Sequence, residues 1–411
     1  MNSVHSFFLY ILKYALKGEK ITSVPSFSLK EWQQLIQLSQ EHHVLPLFFE
    51  TLHSVPEFQA LPFFPSLRNQ IRSQVMVQAQ KTMDFQLLYK RFADADLHPL
   101  VVKGLVCRNL YPYPDHRISS DEDLLIEPDQ TQLYHEILTE YGLTAPEHFS
   151  QEDYEIPYRR KGGLLYIELH RYLFPPQSDA YGDLNRFFTG AYYKGVQETV
   201  QGFSVYTLSP TDHLFYLICH SFKHFLHSGF GIRQVCDIIL YANTYGDQID
   251  WDLVLKHCLS IRAEYFAAAL FAIGFKYLTF DPVSACYPLQ WKQIEVDESN
   301  LLLDLLMSGV YGSSDQNRTR SSHITLDAVS SQKQGKKARN SLLLYLFPSA
   351  KKIEGRFPYL RKRPYLLPIA WAQRMIAYGK ENHSSAAHKG NESLKIGTQR
   401  VNLLKEYHII D

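Results

Sequence analysis

Apolar positions along the chain change period several times, and each change marks a different element. Phe7, Phe8, Ile11, Leu12 and Leu16 fall on one helical face, and Trp32, Leu35, Ile36 and Leu38 repeat the pattern behind Ser28, a residue placed to cap a helix. "SLRNQIRSQVMVQAQKTMDFQLLYKRFADA" predicts one long helix. At "LHPLVVKG" the pattern shortens to an apolar run ended by glycine, which predicts a buried strand. "LVCRNLYP" predicts a brief helix stopped by Pro112 and Pro114, "DEDLLIEP" a second strand, and "DQTQLYHEILTEYG" a helix with Asp129 as its cap and Gly142 at its end. A hairpin follows: "YEIPYRR", the turn "KGG", then an arm in which Leu165, Ile167 and Leu169 alternate with Tyr166, Glu168 and His170.

Beyond residue 205 helical spacing returns, with Ser209-Pro210 opening one helix and Asp250-Trp251-Asp252 another. Residues 311–340 are polar and poor in aromatics, which predicts a long loop or disordered linker. An apolar-basic stretch follows, and the end of the chain from "ENHSSAAHKGNES" reads as a tail. The division expected is a helical region at 1–92, a mixed α/β core at 93–205, a helical region at 206–310, a linker at 311–340 and an amphipathic basic segment with a tail at 341–411. The fold class expected is α+β, a small mixed sheet with helices on one side.

Composition narrows the picture a little. At 411 residues the chain exceeds one ordinary core. Its 42 basic and 42 acidic residues balance, so long nucleic acid is not an expected partner and charge acts locally. Cysteines 107, 219, 236, 258 and 286 contain no CxxC pair, which fits reduced thiols in a cytoplasm. The opening segment lacks a basic leader and Lys13 interrupts its apolar run, so it reads as a core helix rather than a signal peptide. No run of about 18 apolar residues predicts a membrane span.

The chemistry concentrates at "HRISSDEDLLI". On a strand, Asp121 and Asp123 share a face roughly 6.5–7 Å apart, where two carboxylates can converge on Mg²⁺. Glu168, opposed in direction to the core residues Ile167 and Leu169, is the candidate third acid of a two-metal site. The order of these elements resembles the uncharacterised nucleotidyltransferase family of the DNA polymerase beta-like superfamily. The resemblance is carried by Val102-Lys103-Gly104, Tyr111-Pro112, Arg117, Asp121 to Leu125, and Glu168-Leu169-His170, and by "LSPTDHLFYLICHSFKHF", "IRQVCDIILY" and "IDWDLVLKH". It covers about residues 30–280 and is strongest over 100–126. It implies the superfamily's sheet, two Mg²⁺ ions held by Asp121, Asp123 and Glu168, and transfer of a nucleoside monophosphate from an NTP such as ATP to an acceptor hydroxyl with release of pyrophosphate. Lys103 would meet the nucleotide phosphates, with Gly104 allowing close backbone approach. One departure stands out: Glu122 occupies a position that is usually aliphatic in that family.

Other residues carry two readings each. Arg117 either neutralises phosphate charge or pairs with Asp115 or Asp121. Ser119 and Ser120 either donate to phosphate or cap a turn. His220, His224 and His227 share a helical face; the resemblance places His170, His220 and His224 along a substrate-binding surface, and a zinc site lacks the further ligand and base it needs. Arg233 and Asp237 either form an ordinary helix pair or contact the base or acceptor. The basic run over residues 351–368 is a solvated segment or a peripheral membrane contact. The acceptor, a small molecule or a protein, is not legible. A catalytically degenerate scaffold and a protein AMP-transferase of toxin-antitoxin type are the alternatives.

Overall fold

A computed structural model describes residues 1–150, 152–309, 316–335, 350–353, 357–361, 363–381 and 386–411. Helices α1 (Ser3–Ala15), α2 (Leu29–Glu41), α3 (Leu45–Leu52), α4 (Pro56–Gln59) and α5 (Phe64–Asp94) form the first part. The Ser28 side chain accepts from Glu31 N while Glu31 accepts from Ser28 N, a capping box that fixes the start of α2. Phe8, Ile11 and Leu12 are fully buried, as the spacing of α1 predicts.

Then β1 (Leu100–Val101), α6 (Gly104–Asn109), β2 (Glu122–Leu125), α7 (Thr131–Glu140), β3 (Glu155–Arg159), β4 (Tyr166–His170), β5 (Val196–Val200) and β6 (Phe203–Thr207) build one mixed sheet in the order β3-β4-β2-β1-β6-β5. β2 runs parallel to β4 and antiparallel to β1, and β1 runs parallel to β6. The β5–β6 hairpin has no counterpart in the expected elements; Gln201 and Gly202, both at positive φ, make its two-residue turn. Asp129 does not cap α7. It lies in a 3₁₀ turn, Pro128–Gln130, and Gln130 stands at the cap position without a side-chain bond.

One sheet face is apolar. Leu124, Ile156, Tyr158, Ile167 and Leu169 are fully buried there with Phe85, Leu88 and Phe92 of α5 and Tyr134 and Leu138 of α7. The opposite face carries the polar positions of the same strands.

Helices α8 (Pro210–His227), α9 (Ile232–Tyr245), α10 (Trp251–Ser260), α11 (Glu264–Tyr277), α12 (Leu289–Lys292) and α13 (Ser299–Ser308) follow, with Ser209 capping α8 and Asp250 capping α10. Two expectations are corrected beyond them. The expected linker contains α14 (Gln316–Lys333), and the expected tail contains a helix, Ala386–Glu406, that packs along α14. Thr325 of α14 donates to Leu226 O at 2.6 Å, and Arg400 of the last helix donates to His227 O at 2.7 Å, so both helices are tied to the end of α8. Within the basic run, residues 354–356 and 362 lie outside the described residues. All five cysteines are free thiols, four of them buried. Among the described residues, no helix is long and apolar enough to cross a membrane.

Candidate active site

The register of two parallel strands creates the site. Asp123 on β2 stands directly opposite Glu168 on β4, and Leu125 stands opposite His170. Because residues two apart share a face, Asp123, Glu168 and His170 project together from the polar side. Asp123 Oδ1 lies 3.2 Å from His170 Nε2, and Glu168 Oε2 lies 3.8 Å from the same nitrogen. One donor atom from each of the three falls within 4.8 Å of the others.

Lys103 stands at the turn between β1 and α6 and sends its Nζ to 2.8 Å from Asp123 Oδ2. Burial alone would push the Asp123 carboxyl up, but Lys103 and His170 more than offset it and hold it well below the ordinary carboxylate range. Glu168 goes the other way. Burial, then the charges of Asp123, Glu155 and Asp121, raise it to about 8. A carboxylate in that position lacks countercharge, which is what a divalent cation supplies.

Asp121 is placed differently from the expectation. β2 begins at Glu122, so Asp121 lies just ahead of the strand, half-exposed, with Ser120 Oγ 3.5 Å from its Oδ1. It acts on Glu168 through its charge but lies outside the three-residue cluster.

Glu122 answers the question its sequence position raises. Its side chain turns away from Asp123, and its Oε1 meets Arg108 Nη1 at 2.6 Å while its Oε2 accepts from Leu105 N at 2.8 Å. Both side chains of this pair are almost fully buried. Glu122 thereby takes up an orphan donor at the start of α6. Gly104 is required by the same contact: its φ is +37°, and a Cβ there would lie 1.9 Å from Glu122 Oε2. The glycine makes room for a carboxylate of the chain itself.

The segment before β2 is held from several sides. Arg117 donates to both Asp237 oxygens, at 2.7 and 2.6 Å, and Tyr111 donates to Asp237 Oδ1 at 2.7 Å. The partner of Arg117 is thus Asp237 of α9, not Asp115 or Asp121, and the guanidinium is buried in that pair rather than turned to the cluster. Arg233 donates to Ile118 O, so Arg233 and Asp237 do not pair with each other. Gln78 accepts from Ser119 N at 2.9 Å, and Lys81 donates to the carbonyls of Ser119 and Ser120 at 2.6 and 2.9 Å. Ser119 Oγ accepts from Arg108 Nη1 at 2.6 Å; the Ser120 side chain is exposed.

Helix α8 faces the site with His220, Lys223 and His224. Burial, followed by the charges of Lys103 and Lys223 among others, holds both imidazoles well below their ordinary range. Burial and Lys103 lower Lys223, while Glu155, Asp123 and Glu168 pull it back up. The His220 and His224 rings contact edge to face at 4.6 Å. Two residues here escaped sequence reasoning, Glu155 and Lys223. Glu155 pairs in register with His170 across the hairpin, and its Oε2 lies 3.8 Å from His170 Nδ1. The alternation of "YEIPYRR" about the "KGG" turn carries that signal.

The family model described as "Uncharacterised nucleotidyltransferase" matches residues 28–277. The chain belongs to this family. No curated protein and no solved structure matches it. Membership makes the protein an enzyme that transfers phosphorus-containing groups, with a nucleotide as substrate. The matched segment begins at the Ser28 cap and ends with α11, so it spans both the sheet and the helices that hold it.

Proposed function

We propose that the protein moves a nucleoside monophosphate from an NTP to an acceptor hydroxyl, with a divalent cation at Asp123 and Glu168 and release of pyrophosphate. The observation that carries this reading is the convergence of Asp123, Glu168 and His170 on one point of the sheet face. The donor set fits a divalent cation: the charges of Asp123, Glu155 and Asp121 crowd Glu168 with too little positive charge nearby.

The bound ion would supply charge neutralisation at the transferring phosphoryl group and a lower pKa for the attacking hydroxyl. The acceptor oxygen forms a bond to the α-phosphorus as the α–β P–O bond breaks, and pyrophosphate carries away the bonding electrons. Glu168 takes up the hydroxyl proton. Asp123 and the adjoining Asp121 hold negative charge against the incoming cation, and Lys103 moves from Asp123 to the phosphates. His220, Lys223 and His224 line the side from which the acceptor arrives.

The test is to incubate the protein with each labelled NTP, Mg²⁺ and cell extract, and to follow the label into small molecules and proteins. Transfer that disappears in Asp123→Asn and Glu168→Gln, with the circular dichroism unchanged, supports the reading. Equal transfer by wild type and both variants overturns it. Intact-mass measurement of labelled products distinguishes a protein acceptor from a small molecule.

A further inference from the structure

The third donor of the cluster is nitrogen, and that bears on which ion the site takes. Three donors around one ion at about 2.1 Å stand roughly 3 to 4.2 Å from one another. His170 Nε2 lies 3.2 Å from Asp123 Oδ1 and 3.8 Å from Glu168 Oε2, both within that span. The ring also has a carboxylate on its far side, within reach of a small side-chain adjustment. Its Nε2 points at the two carboxylates, and its Nδ1, which has no hydrogen-bond partner, faces Glu155 Oε2 at 3.8 Å. A ligating histidine characteristically gives its second N–H to a carboxylate, which fixes the tautomer and raises the basicity of the bound nitrogen. The ring cannot turn elsewhere, being 5% exposed and hemmed in by β2 and β3. Asp123 is divided between two partners: Oδ2 faces Lys103, leaving Oδ1 toward the imidazole.

We propose that His170 is a direct ligand of the site's ion, oriented by Glu155, and that the mixed oxygen-nitrogen set makes the site select a first-row transition cation such as Mn²⁺ over Mg²⁺. Mg²⁺ demands oxygen donors and keeps its waters, whereas imidazole strengthens binding along the first transition row. The inference rests on reading Asp123 and Glu168 as the ion-holding pair.

The experiment titrates the chelator-treated full chain with Mn²⁺ and with Mg²⁺, following free Mn²⁺ by its paramagnetic resonance signal and Mg²⁺ by competition. Wild type is expected to bind Mn²⁺ at least about tenfold more tightly than Mg²⁺. His170→Ala should weaken Mn²⁺ by about 100-fold or more and Mg²⁺ by about threefold or less, erasing the preference; Glu155→Gln should weaken Mn²⁺ by about tenfold. Electron spin-echo modulation on the wild type reads the bond directly, without a variant that has to fold: ¹⁴N coupling to bound Mn²⁺ is expected. Absence of nitrogen coupling, or an unchanged ion ratio in His170→Ala, overturns the proposal. The two readings fail separately. Nitrogen-coupled Mn²⁺ without transfer from any labelled NTP sinks the transferase reading, while Mg²⁺-supported transfer with no nitrogen coupling sinks the ligand assignment.

Discussion

Replacing Arg108 by methionine breaks the buried pair behind the active face, and with it the bond from Nη1 to Ser119 Oγ. The Glu122 and Arg108 side chains are 1% and 0% exposed and meet at 2.6 Å. Removing the guanidinium strands a carboxylate whose remaining bond is to Leu105 N, and a single broken buried pair costs about 3–5 kcal/mol. At about 2 °C per kcal/mol for a unit of some 250 residues, the melting temperature should fall by roughly 6–10 °C. The double variant Arg108→Met/Glu122→Leu should behave differently. Arg108 Nε and Nη2 have no hydrogen-bond partner, so the native pair is incompletely satisfied. An apolar replacement of such a pair is about neutral or stabilising by about 1–4 kcal/mol, against about 1–3 kcal/mol for the orphaned Leu105 N–H. The double variant should therefore lie within about 2 kcal/mol of wild type, with a coupling energy of about 3 kcal/mol or more. Urea unfolding of the wild type, both single variants and the double variant, read by tryptophan fluorescence, measures the cycle. Two single changes that each cost under about 1 kcal/mol, and that simply add in the double variant, would refute the reasoning.

Arg117→Lys keeps the charge but loses the bidentate fork on Asp237; it should cost about 2–3 kcal/mol and Arg117→Met about 3–5 kcal/mol, each lowering transfer through displacement of the segment before β2, measured by thermal melts alongside activity. His42 is buried with its pKa lowered to about 4, first by burial, and its Nδ1 accepts from Ile232 N. Because the folded value lies below the ordinary 6.5, its contribution is whole above pH 6.5 and is lost as the pH falls toward 4, by roughly 3 kcal/mol at most; His42→Asn should flatten the fall in melting temperature between pH 7 and 4.5, and an unchanged slope would count against this. Glu168 has the opposite sign: with a folded value of about 8 against 4.5 for an ordinary glutamate, it makes the metal-free protein lose stability as the pH rises from about 4.5 through 8. Added divalent ion should reverse that loss, and Glu168→Gln should remove it, as melting curves with and without metal will show.

The elements that could be read from the sequence were those with a clean period. The Ser28 cap, the long α5 and the β3–β4 hairpin each declare themselves through spacing, and the hairpin alternation put Glu168 on the right face. What escaped depended on pairings far apart in the chain. Arg117 meets Asp237 across 120 residues, and nothing local distinguishes that partner from the nearer Asp115. Helix α14 was hidden for another reason: its buried positions include Ser321, Ser322 and Thr325, the hydroxyls of Ser321 and Thr325 bonding to carbonyls, so the buried face shows no run of apolar residues. Gly397 of the last helix approaches Ile324 so closely that a Cβ would lie 2.6 Å from its Cδ1. Glycine in a helix reads as a breaker in sequence, whereas here it permits tight packing. Glu122 was legible as an anomaly, and its solution, Arg108, lies 14 positions upstream on another element.

The grip of α9 on Arg117 and Ile118 has a further consequence for turnover. A hinge motion swinging the helical half away from the sheet would have to part a buried bidentate contact and hydrate both of its charges. While that contact holds, substrates enter and products leave through rearrangement of side chains such as Lys103 and of the edge strand β3.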